Sequence, residues 1–299
     1  MRQMILHSLP DSSDSYDSWF PLLSLLAALL VSLAPQARAA DPTPAQKLVA
    51  SPGALIIAHR GNSSVAPENT LRAFAKALEA KADLVELDYH HSADGVPVVI
   101  HDDNLDRTTD AQVRLGKDKV LVATLPAAEL ARLDAGSWFD EEFQRTKLPT
   151  LVESLAAIQA GSTTLIERKA GDAATLVKLL EKENLTSRVV VQAFDWEFVR
   201  ECRRLSPTLV LGALCGKEAS EKQIRAAAAT GADVIVWNHE KLRAPQIDLI
   251  HQLGKRAWVY TIDDPERAAQ FLAAGIDGII TNKPATMIRL RAARSRTGE

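Results

Sequence analysis

The chain has 299 residues, 46% of them hydrophobic and 24% charged, and its formal net charge is -3. This balance is typical of a globular protein with a large apolar core, so it excludes a chain that is disordered throughout. The small net charge excludes the broad basic surface that collects nucleic acid or anionic lipid. Any phosphate must therefore bind at a local site.

The first forty residues differ from the rest of the chain. An almost wholly apolar run from Phe20 to Ala34 precedes an alanine-rich stretch that ends at Ala40. This shape predicts a cleavable secretory signal over residues 1–40, although the acidic residues before the run depart from the positive start of such signals. Because the run is too short to span a bilayer, we expect a periplasmic or secreted protein with no stable membrane anchor after cleavage.

Beyond residue 40, short apolar or β-branched runs recur at intervals. The eight runs are Leu55 to Ala58, Leu84 to Tyr89, Thr164 to Glu167, Arg188 to Ala193, Leu209 to Ala213, Asp233 to Trp237, Ala257 to Thr261 and Gly278 to Thr281. The stretches between them, such as Thr70 to Ala80 and Ala219 to Ala229, have helical character. Alternation of this kind predicts a parallel α/β fold, and eight strands within residues 41–299 predict a single (β/α)8 TIM-type barrel domain.

One connection is too long to be a simple loop. Residues 102–154 lie between the second and third predicted barrel strands and are rich in turn and polar residues. Only Ala127 to Leu133 has a helical pattern within this segment. Loops of this length are usually functional, so we expect an insertion that covers the mouth of the barrel.

The second predicted strand carries two acids. In Leu84 to Tyr89, Glu86 and Asp88 alternate with apolar residues, which places both carboxylates on one face of the strand. On an edge strand this pattern would only mark a solvated face. In a closed parallel barrel helices cover the outer face, so both acids must point inward and need a cation.

A hairpin follows this strand. Asp94 and Gly95 stand between two runs of strand character, a sequence that is typical of a two-residue β-turn. If Ala93 lies opposite Val96, the register places His101 opposite Asp88. The hairpin therefore predicts a histidine beside the acidic pair.

Two further strand ends carry charged or titratable groups. His59 ends the first strand, and the third ends with Glu167 and Lys169 on the same side. Taken singly, such residues are often structural, but the carboxyl ends of barrel strands are where catalytic groups gather. Three carboxylates together suit one divalent cation, Ca²⁺ or Mg²⁺.

The combined cluster fits metal-assisted cleavage of a phosphodiester. The cation, with Arg60 and Lys169, would offset the charge of the phosphoryl oxygens. Of the two histidines, one would deprotonate the attacking oxygen and the other would protonate the leaving alkoxide. The residues themselves leave open which histidine takes which role.

Several motifs resemble those of the glycerophosphodiester phosphodiesterase family. They are AHRGNSSVAPENT, ELDYHHSADGVPVVIHDDNLDRTT, LDAGSW, LPTLVESL, VWNH and GIDGIITNKP, and the resemblance runs from about Leu55 to Arg289. It implies hydrolysis of small-molecule glycerophosphodiesters, such as glycerophosphocholine or glycerophosphoethanolamine, to glycerol 3-phosphate and an alcohol. Attack by the glycerol hydroxyl is one route that the resemblance allows.

The resemblance also implies a role for individual residues. It implies that His59 and His101 are the acid/base pair and that Glu86, Asp88 and Glu167 hold the metal ion. It also implies that Arg60 and Lys169 contact the phosphate and that Phe194 and Trp258 are aromatic residues of the pocket. The chain departs from the family at Arg168, where a neutral residue is usual. We expect its head to reach water near the strand end.

Glu68 and Asn69 stand in the family motif but allow a simpler interpretation. Both lie just before the helix predicted from Thr70, where an acid and an amide commonly cap and charge a helix start. We therefore leave them out of the predicted catalytic site.

Other functions remain open on the sequence. A related barrel with lysophospholipase D or phosphoinositide phospholipase activity would need the same metal and histidines. A non-catalytic solute-binding barrel could keep the fold without the chemistry, although the intact His59 and His101 disfavour it. Serine hydrolase, zincin and dinucleotide-binding motifs are absent from the sequence.

Overall fold

The structure is a computed structural model that describes residues 41–297, and the predicted secretory signal over residues 1–40 lies outside them. The strands are β1 (Leu55–Ala58), β2 (Leu84–His91), β3 (Pro97–Val99), β4 (Thr163–Arg168), β5 (Val189–Ala193), β6 (Val210–Cys215), β7 (Val234–Asn238), β8 (Arg256–Tyr260) and β9 (Gly278–Thr281). All except β3 run parallel, and the pairing of β1 with both β9 and β2 closes the barrel. The predicted TIM-type barrel is therefore confirmed, because its eight strands coincide with the eight runs.

Helices alternate with these strands. They are α1 (Pro44–Val49), α2 (Leu71–Glu79), α3 (Ala111–Leu115), α4 (Ala127–Leu130), α5 (Leu151–Gln159), α6 (Ala173–Lys182), α7 (Trp196–Leu205), α8 (Glu221–Ala228), α9 (Ala244–Gln252), α10 (Pro265–Ala273) and α11 (Pro284–Thr297). Local chemistry defines their starts, as at α2, where the Thr70 hydroxyl accepts a hydrogen bond from the Ala73 amide. Within residues 41–297, no helix has the length and apolar character needed to cross a membrane.

Strand alternation gives the barrel interior two zones. Its apolar zone is a buried cluster of Leu55, Ile57, Leu84, Leu165, Val190, Val210, Leu214, Val234, Val236, Trp258 and Ile280. Two residues further along the same faces stand His59, Glu86 and Glu167. The interior is thus packed with hydrocarbon towards the amino ends of the strands and carries the titratable groups at the carboxyl ends, where barrel active sites lie.

Helix α1 closes the amino-terminal end of the barrel. Its buried residues, Ala45 and Val49, belong to the same apolar cluster, and the Ala45 amide donates a hydrogen bond of 3.0 Å to the Ser187 carbonyl. We expect Val49→Ala to lower the free energy of unfolding by about 2 kcal/mol, because it removes two methyl groups from a packed site. Lys47→Ala on the exposed face of α1 is the matched control, and equal urea midpoints for the two variants would contradict this packing role.

The segment between β3 and α5 has a small core of its own. Its buried residues are Val98, Ile100, Leu105, Ala111, Val122, Leu130, Leu133, Ala135 and Leu148. It contains helix α3, which the sequence pattern did not predict, besides α4 within the predicted helical stretch. Helix α5 already begins at Leu151, after a capping box between Thr150 and Glu153, so the predicted boundary at 154 falls inside that helix.

The predicted register of the β2–β3 hairpin is wrong by one residue. Tyr89 pairs with Val99, and the Ile100 amide donates to the Asp88 carbonyl, so Ile100 rather than His101 lies opposite Asp88. The turn contains three residues instead of two, because Gly95 adopts a left-handed conformation with φ of 77°. Three-residue hairpin loops commonly end in such a residue.

Candidate active site

Three buried carboxylates meet at the carboxyl end of the barrel. Glu86 and Asp88 extend from β2 and Glu167 from β4, and one oxygen of each lies within 4.8 Å of the others. Asp88 pairs directly with Glu167 in the β2–β4 register. The predicted convergence of these three residues is therefore observed, because barrel closure turns the same strand faces inward.

The carboxylates have different electrostatic environments. Burial, together with the charges of Asp88 and Glu167, raises the pKa of Glu86 well above its ordinary value. Burial and the charge of Asp88 also raise the pKa of Glu167 to about 7. Burial would raise the pKa of Asp88 too, but Lys169 and Arg60 lower it to about 2. Asp88 is therefore ionised at neutral pH, whereas ionisation of Glu86 and Glu167 is disfavoured without an added cation.

The protein's own cations neutralise part of this charge. The Lys169 ammonium forms an ion pair with Glu167 and lies 3.1 Å from Asp88 Oδ1. The Arg60 amide donates to Glu86 Oε2 at 2.7 Å, while its guanidinium Nε lies 3.2 Å from Asp88 Oδ2. Arg60 and Lys169 thus lie at the cluster, as predicted from the sequence.

The donor set fits a divalent cation. Among the described residues, Glu86 Oε1 is buried and has no hydrogen-bond partner, while the buried Asp88 Oδ1 has an ion-pair contact with Lys169 but no hydrogen bond. Unpaired buried carboxylate oxygens are costly, and oxygen ligands from carboxylates are those that Ca²⁺ and Mg²⁺ prefer. The cluster can therefore hold a metal ion, and its chemistry does not distinguish between these two.

His59 is held in one orientation by Asn282, a residue near the carboxyl end of the chain. Its Nδ1 lies 2.7 Å from Asn282 Oδ1, and the Asn282 side-chain amide donates to Asp263 Oδ2. Since Asn282 offers an acceptor, His59 Nδ1 carries the proton and Nε2 keeps a free lone pair. Burial, and then the charge of Arg60, lower the pKa of His59 to about 4. The His59 imidazole is therefore uncharged at neutral pH.

His101 has a carboxylate partner instead. Its Nδ1 lies 2.6 Å from Asp102 Oδ1, so it donates its proton there and also leaves Nε2 free. Burial lowers the pKa of His101, and the negative charge of Asp88 opposes that shift. His101 thus lies close enough to the acidic cluster for the charge of Asp88 to affect its pKa, although the hairpin register differs from the predicted one.

Comparison with known proteins identifies the family. The sequence model of the glycerophosphoryl diester phosphodiesterase family matches residues 59–286, a range that contains all three carboxylates and both histidines. The chain belongs to this family. The glycerophosphodiester phosphodiesterase of Caldanaerobacter subterraneus subsp. tengcongensis is 32% identical over 79% of this chain and 97% of its own length. That of Bacillus subtilis is 31% identical over 77% of this chain and 84% of its own.

Solved structures of two phosphodiesterases have the same fold. A phosphodiesterase of Oleispira antarctica, in complex with the product sn-glycerol-3-phosphate, is 28% identical with a TM-score of 0.71 and covers 79% of this chain and 96% of its own. The glycerophosphodiester phosphodiesterase of Agrobacterium tumefaciens is 29% identical with a TM-score of 0.69 and covers 80% and 99%. Both matches span nearly the whole of the similar protein.

Two residues of this phosphodiesterase were wrongly interpreted as helix caps. Thr70 caps α2, whereas the Asn69 side-chain amide donates to Asp88 Oδ2 at 2.9 Å and its oxygen accepts from the Asp88 amide at 3.1 Å. Glu68 accepts from Arg60 at 2.8 Å. The positive φ of Asn69, 58°, turns its side chain inward, and the sequence contains no local signal for that turn beyond asparagine's tolerance of it.

Asp102, Arg107 and Asn282 were also missed among the site residues. Their partners are far away in the sequence: Arg107 and Glu68 are 39 residues apart, and His59 and Asn282 are 223 apart. Asp102 was the exception, because a carboxylate directly after a candidate catalytic histidine is itself a signal.

The two predicted pocket aromatics lie in different surroundings. Phe194 is 52% exposed and meets the edge of Tyr260, with 6.1 Å between ring centroids. Trp258 is fully buried in the apolar interior, where a Cβ on Gly278 would come within 2.5 Å of its ring. Tyr260, two residues further on the same strand face, reaches the mouth instead. The structure thus brings Phe194 to the mouth, but not Trp258.

A cavity of about 540 Å³ opens beside Phe194. It lies between the ends of β6 and β7 and the starts of α7 and α8, and its walls include Trp196, Gly216, Lys217 and Trp237. None of the three carboxylates lines it. Phe194 therefore lines a pocket large enough for part of a small substrate.

Arg168, one of the positions at which the chain departs from the family, is accommodated at the end of β4. Its guanidinium lies 5.0 Å from the centroid of the Phe198 ring and donates to the Gly171 carbonyl and to Asp195. Its side chain is 21% exposed, so the charge reaches water at the end of β4, as expected.

Proposed function

We propose that this protein is a metal-dependent phosphodiesterase that hydrolyses glycerophosphodiesters to glycerol 3-phosphate and an alcohol. The observation that carries the proposal is the buried cluster of three carboxylates, in which Glu86 Oε1 has no hydrogen-bond partner, beside two histidines that each keep Nε2 free. The product bound by the phosphodiesterase of Oleispira antarctica supports the substrate class.

Glu86, Asp88 and Glu167 would hold the metal ion. A Ca²⁺ or Mg²⁺ ion bound to them would polarise the phosphoryl oxygens and offset the negative charge that develops on them. Arg60 and Lys169 border the same cluster and would bind the remaining phosphoryl oxygens through charge-assisted hydrogen bonds.

We assign the acid and base roles of the two histidines from the residues that each of them contacts. His59 rests on the neutral amide of Asn282, so it is suited to accept a proton from the attacking hydroxyl. His101 rests on the carboxylate of Asp102, which offsets part of the lowering of the His101 pKa by burial, and we assign to it the protonation of the leaving alkoxide. Direct attack by water would use this pair, and so would attack by the substrate's glycerol hydroxyl, after which water would open the resulting cyclic phosphate to give glycerol 3-phosphate.

The test is an assay of the chain from Asp41 onward with glycerophosphocholine. We expect glycerol 3-phosphate and choline to be released with Ca²⁺ or Mg²⁺ and the reaction to stop with chelator. Release of phosphocholine would show cleavage of the wrong ester bond. Folded protein that releases no product with either metal would contradict the proposal, and lysophospholipids would be the next substrates to test.

Phe194 provides a second check on where the substrate binds. We expect Phe194→Ala to raise KM about 3- to 10-fold with little change in kcat, because it removes an exposed aromatic wall outside the reacting centre. Val113→Ala, at an exposed position of α3, is the matched control. An unchanged KM would place the substrate on the other side of the mouth.

A further inference from the structure

Arg107 makes more side-chain contacts to acids than the proposed mechanism uses. It lies between β3 and α3 and donates to Glu68 Oε2 at 2.9 Å and Oε1 at 2.8 Å. It also donates to Asp102 Oδ2 at 2.7 Å and Oδ1 at 3.0 Å. The guanidinium is thus bidentate to two carboxylates at once, although its side chain is 43% exposed.

Each of these carboxylates holds a proposed catalytic group. Asp102 Oδ1 lies 2.6 Å from His101 Nδ1, and Glu68 Oε1 accepts from Arg60 Nη1 at 2.8 Å. A single guanidinium therefore joins the acid/base histidine on one side to the phosphate-binding arginine on the other.

The planar guanidinium of Arg107 fixes the positions of the two carboxylates relative to each other. A guanidinium has its donors in a rigid planar fork, so two bidentate carboxylates are held at a set separation and orientation. Without the fork, Glu68 and Asp102 would repel each other as like charges and could rotate about their side-chain bonds. A lysine supplies the charge but not the planar geometry.

We propose that Arg107 is a positioning residue that fixes His101 and Arg60 in one arrangement through Asp102 and Glu68. This inference rests on the proposed phosphodiesterase function. It also gives the insertion a task, because Arg107 and Asp102 both belong to the segment between β3 and α5.

The first test compares Arg107→Met and Arg107→Lys in the glycerophosphocholine assay. We expect kcat to fall about 10- to 100-fold in both variants with KM within about 3-fold of wild type, because misplaced catalytic groups slow the reaction of bound substrate. Arg114→Met is the matched control, since Arg114 lies in the same segment and its side chain forms an ion pair of 3.6 Å with Asp110. Unchanged kcat in Arg107→Met would overturn the proposal.

The second test separates positioning from direct contact with phosphate. In a Glu68→Gln/Asp102→Asn background, Arg107→Met should cause little further loss, because the partners through which Arg107 acts have lost their charge. The same fold-loss in both backgrounds, or a rise in KM alone, would overturn positioning in favour of a phosphate contact.

A third measurement does not depend on turnover. In ¹⁵N NMR spectra, His101 of the wild type should show one tautomer with the proton on Nδ1, and Arg107→Met should show a mixture of tautomers. A single unchanged tautomer in the folded variant would overturn the proposal. Wild-type protein without diesterase activity, but with this tautomer shift, would instead show that the proposed function is wrong and the positioning contact real.

Discussion

His59→Ala and His101→Ala are each expected to reduce kcat by about 10²- to 10⁴-fold, which is the usual contribution of a positioned acid or base. Each ring has one nitrogen engaged, with Asn282 or with Asp102, and the other nitrogen free for proton transfer. KM should change far less than kcat, because neither histidine carries the charge that binds phosphate.

The double variant sharpens this prediction. If the histidines act on the same bond-making and bond-breaking step, the double variant should be little slower than the worse single variant. His251→Ala is the matched control, because His251 also pairs with a carboxylate, at 2.7 Å from Asp277, but on α9 and away from the acidic cluster. Loss of activity in His251→Ala, or activity retained in His59→Ala, would contradict the assigned roles.

The metal-free protein is expected to lose stability as the pH rises. The pKa of Glu167 is about 7 in the folded protein, above the ordinary value of 4.5, and that of Glu86 is also raised. Groups with a raised folded-state pKa stabilise the protein below their unfolded pKa, and this contribution is lost as the pH rises through the folded value. For Glu167 the loss amounts to about 3 kcal/mol between about pH 4.5 and pH 7.

Asp88 does not cancel this effect. Its pKa of about 2 lies below the ordinary value, so its stabilising contribution is lost only in acid, below the window where Glu167 titrates. A bound divalent cation should remove the slope, because it stabilises all three ionised carboxylates.

Urea unfolding between about pH 5 and about pH 8, with chelator and with Ca²⁺ or Mg²⁺, measures this linkage. Chelated wild type should become less stable across the range, and metal should restore its stability most at high pH. Glu167→Gln is the matched variant, because it keeps the shape of the side chain and should weaken both the pH slope and the effect of metal. A chelated protein whose stability rises with pH would contradict the charge assignment of the cluster.

Local patterns were enough to predict the barrel. Strand and helix periodicities depend on neighbours two to four residues away, so each run from Leu55 to Thr281 signals its element without knowledge of the rest. Closure of the sheet then follows from the number of parallel strands and their right-handed crossovers.

The same dependence on near neighbours in the sequence explains which site residues were predicted. Alternation places Glu86 and Asp88 on one face, and strand ends place His59 and Glu167 at the mouth. The hairpin register was missed because it depends on the left-handed conformation of Gly95, which adds a residue to the turn.

The sequence by itself determined the barrel and the acidic cluster, because both follow from short-range periodicity, and it identified the two histidines by their positions after β1 and β3. Only the tertiary structure decided how these groups are supported: Asn69 on Asp88, Asn282 on His59, and Arg107 between Glu68 and Asp102. These contacts join segments that are distant along the chain, and a polar side chain carries no local sign of the partner that barrel closure brings to it.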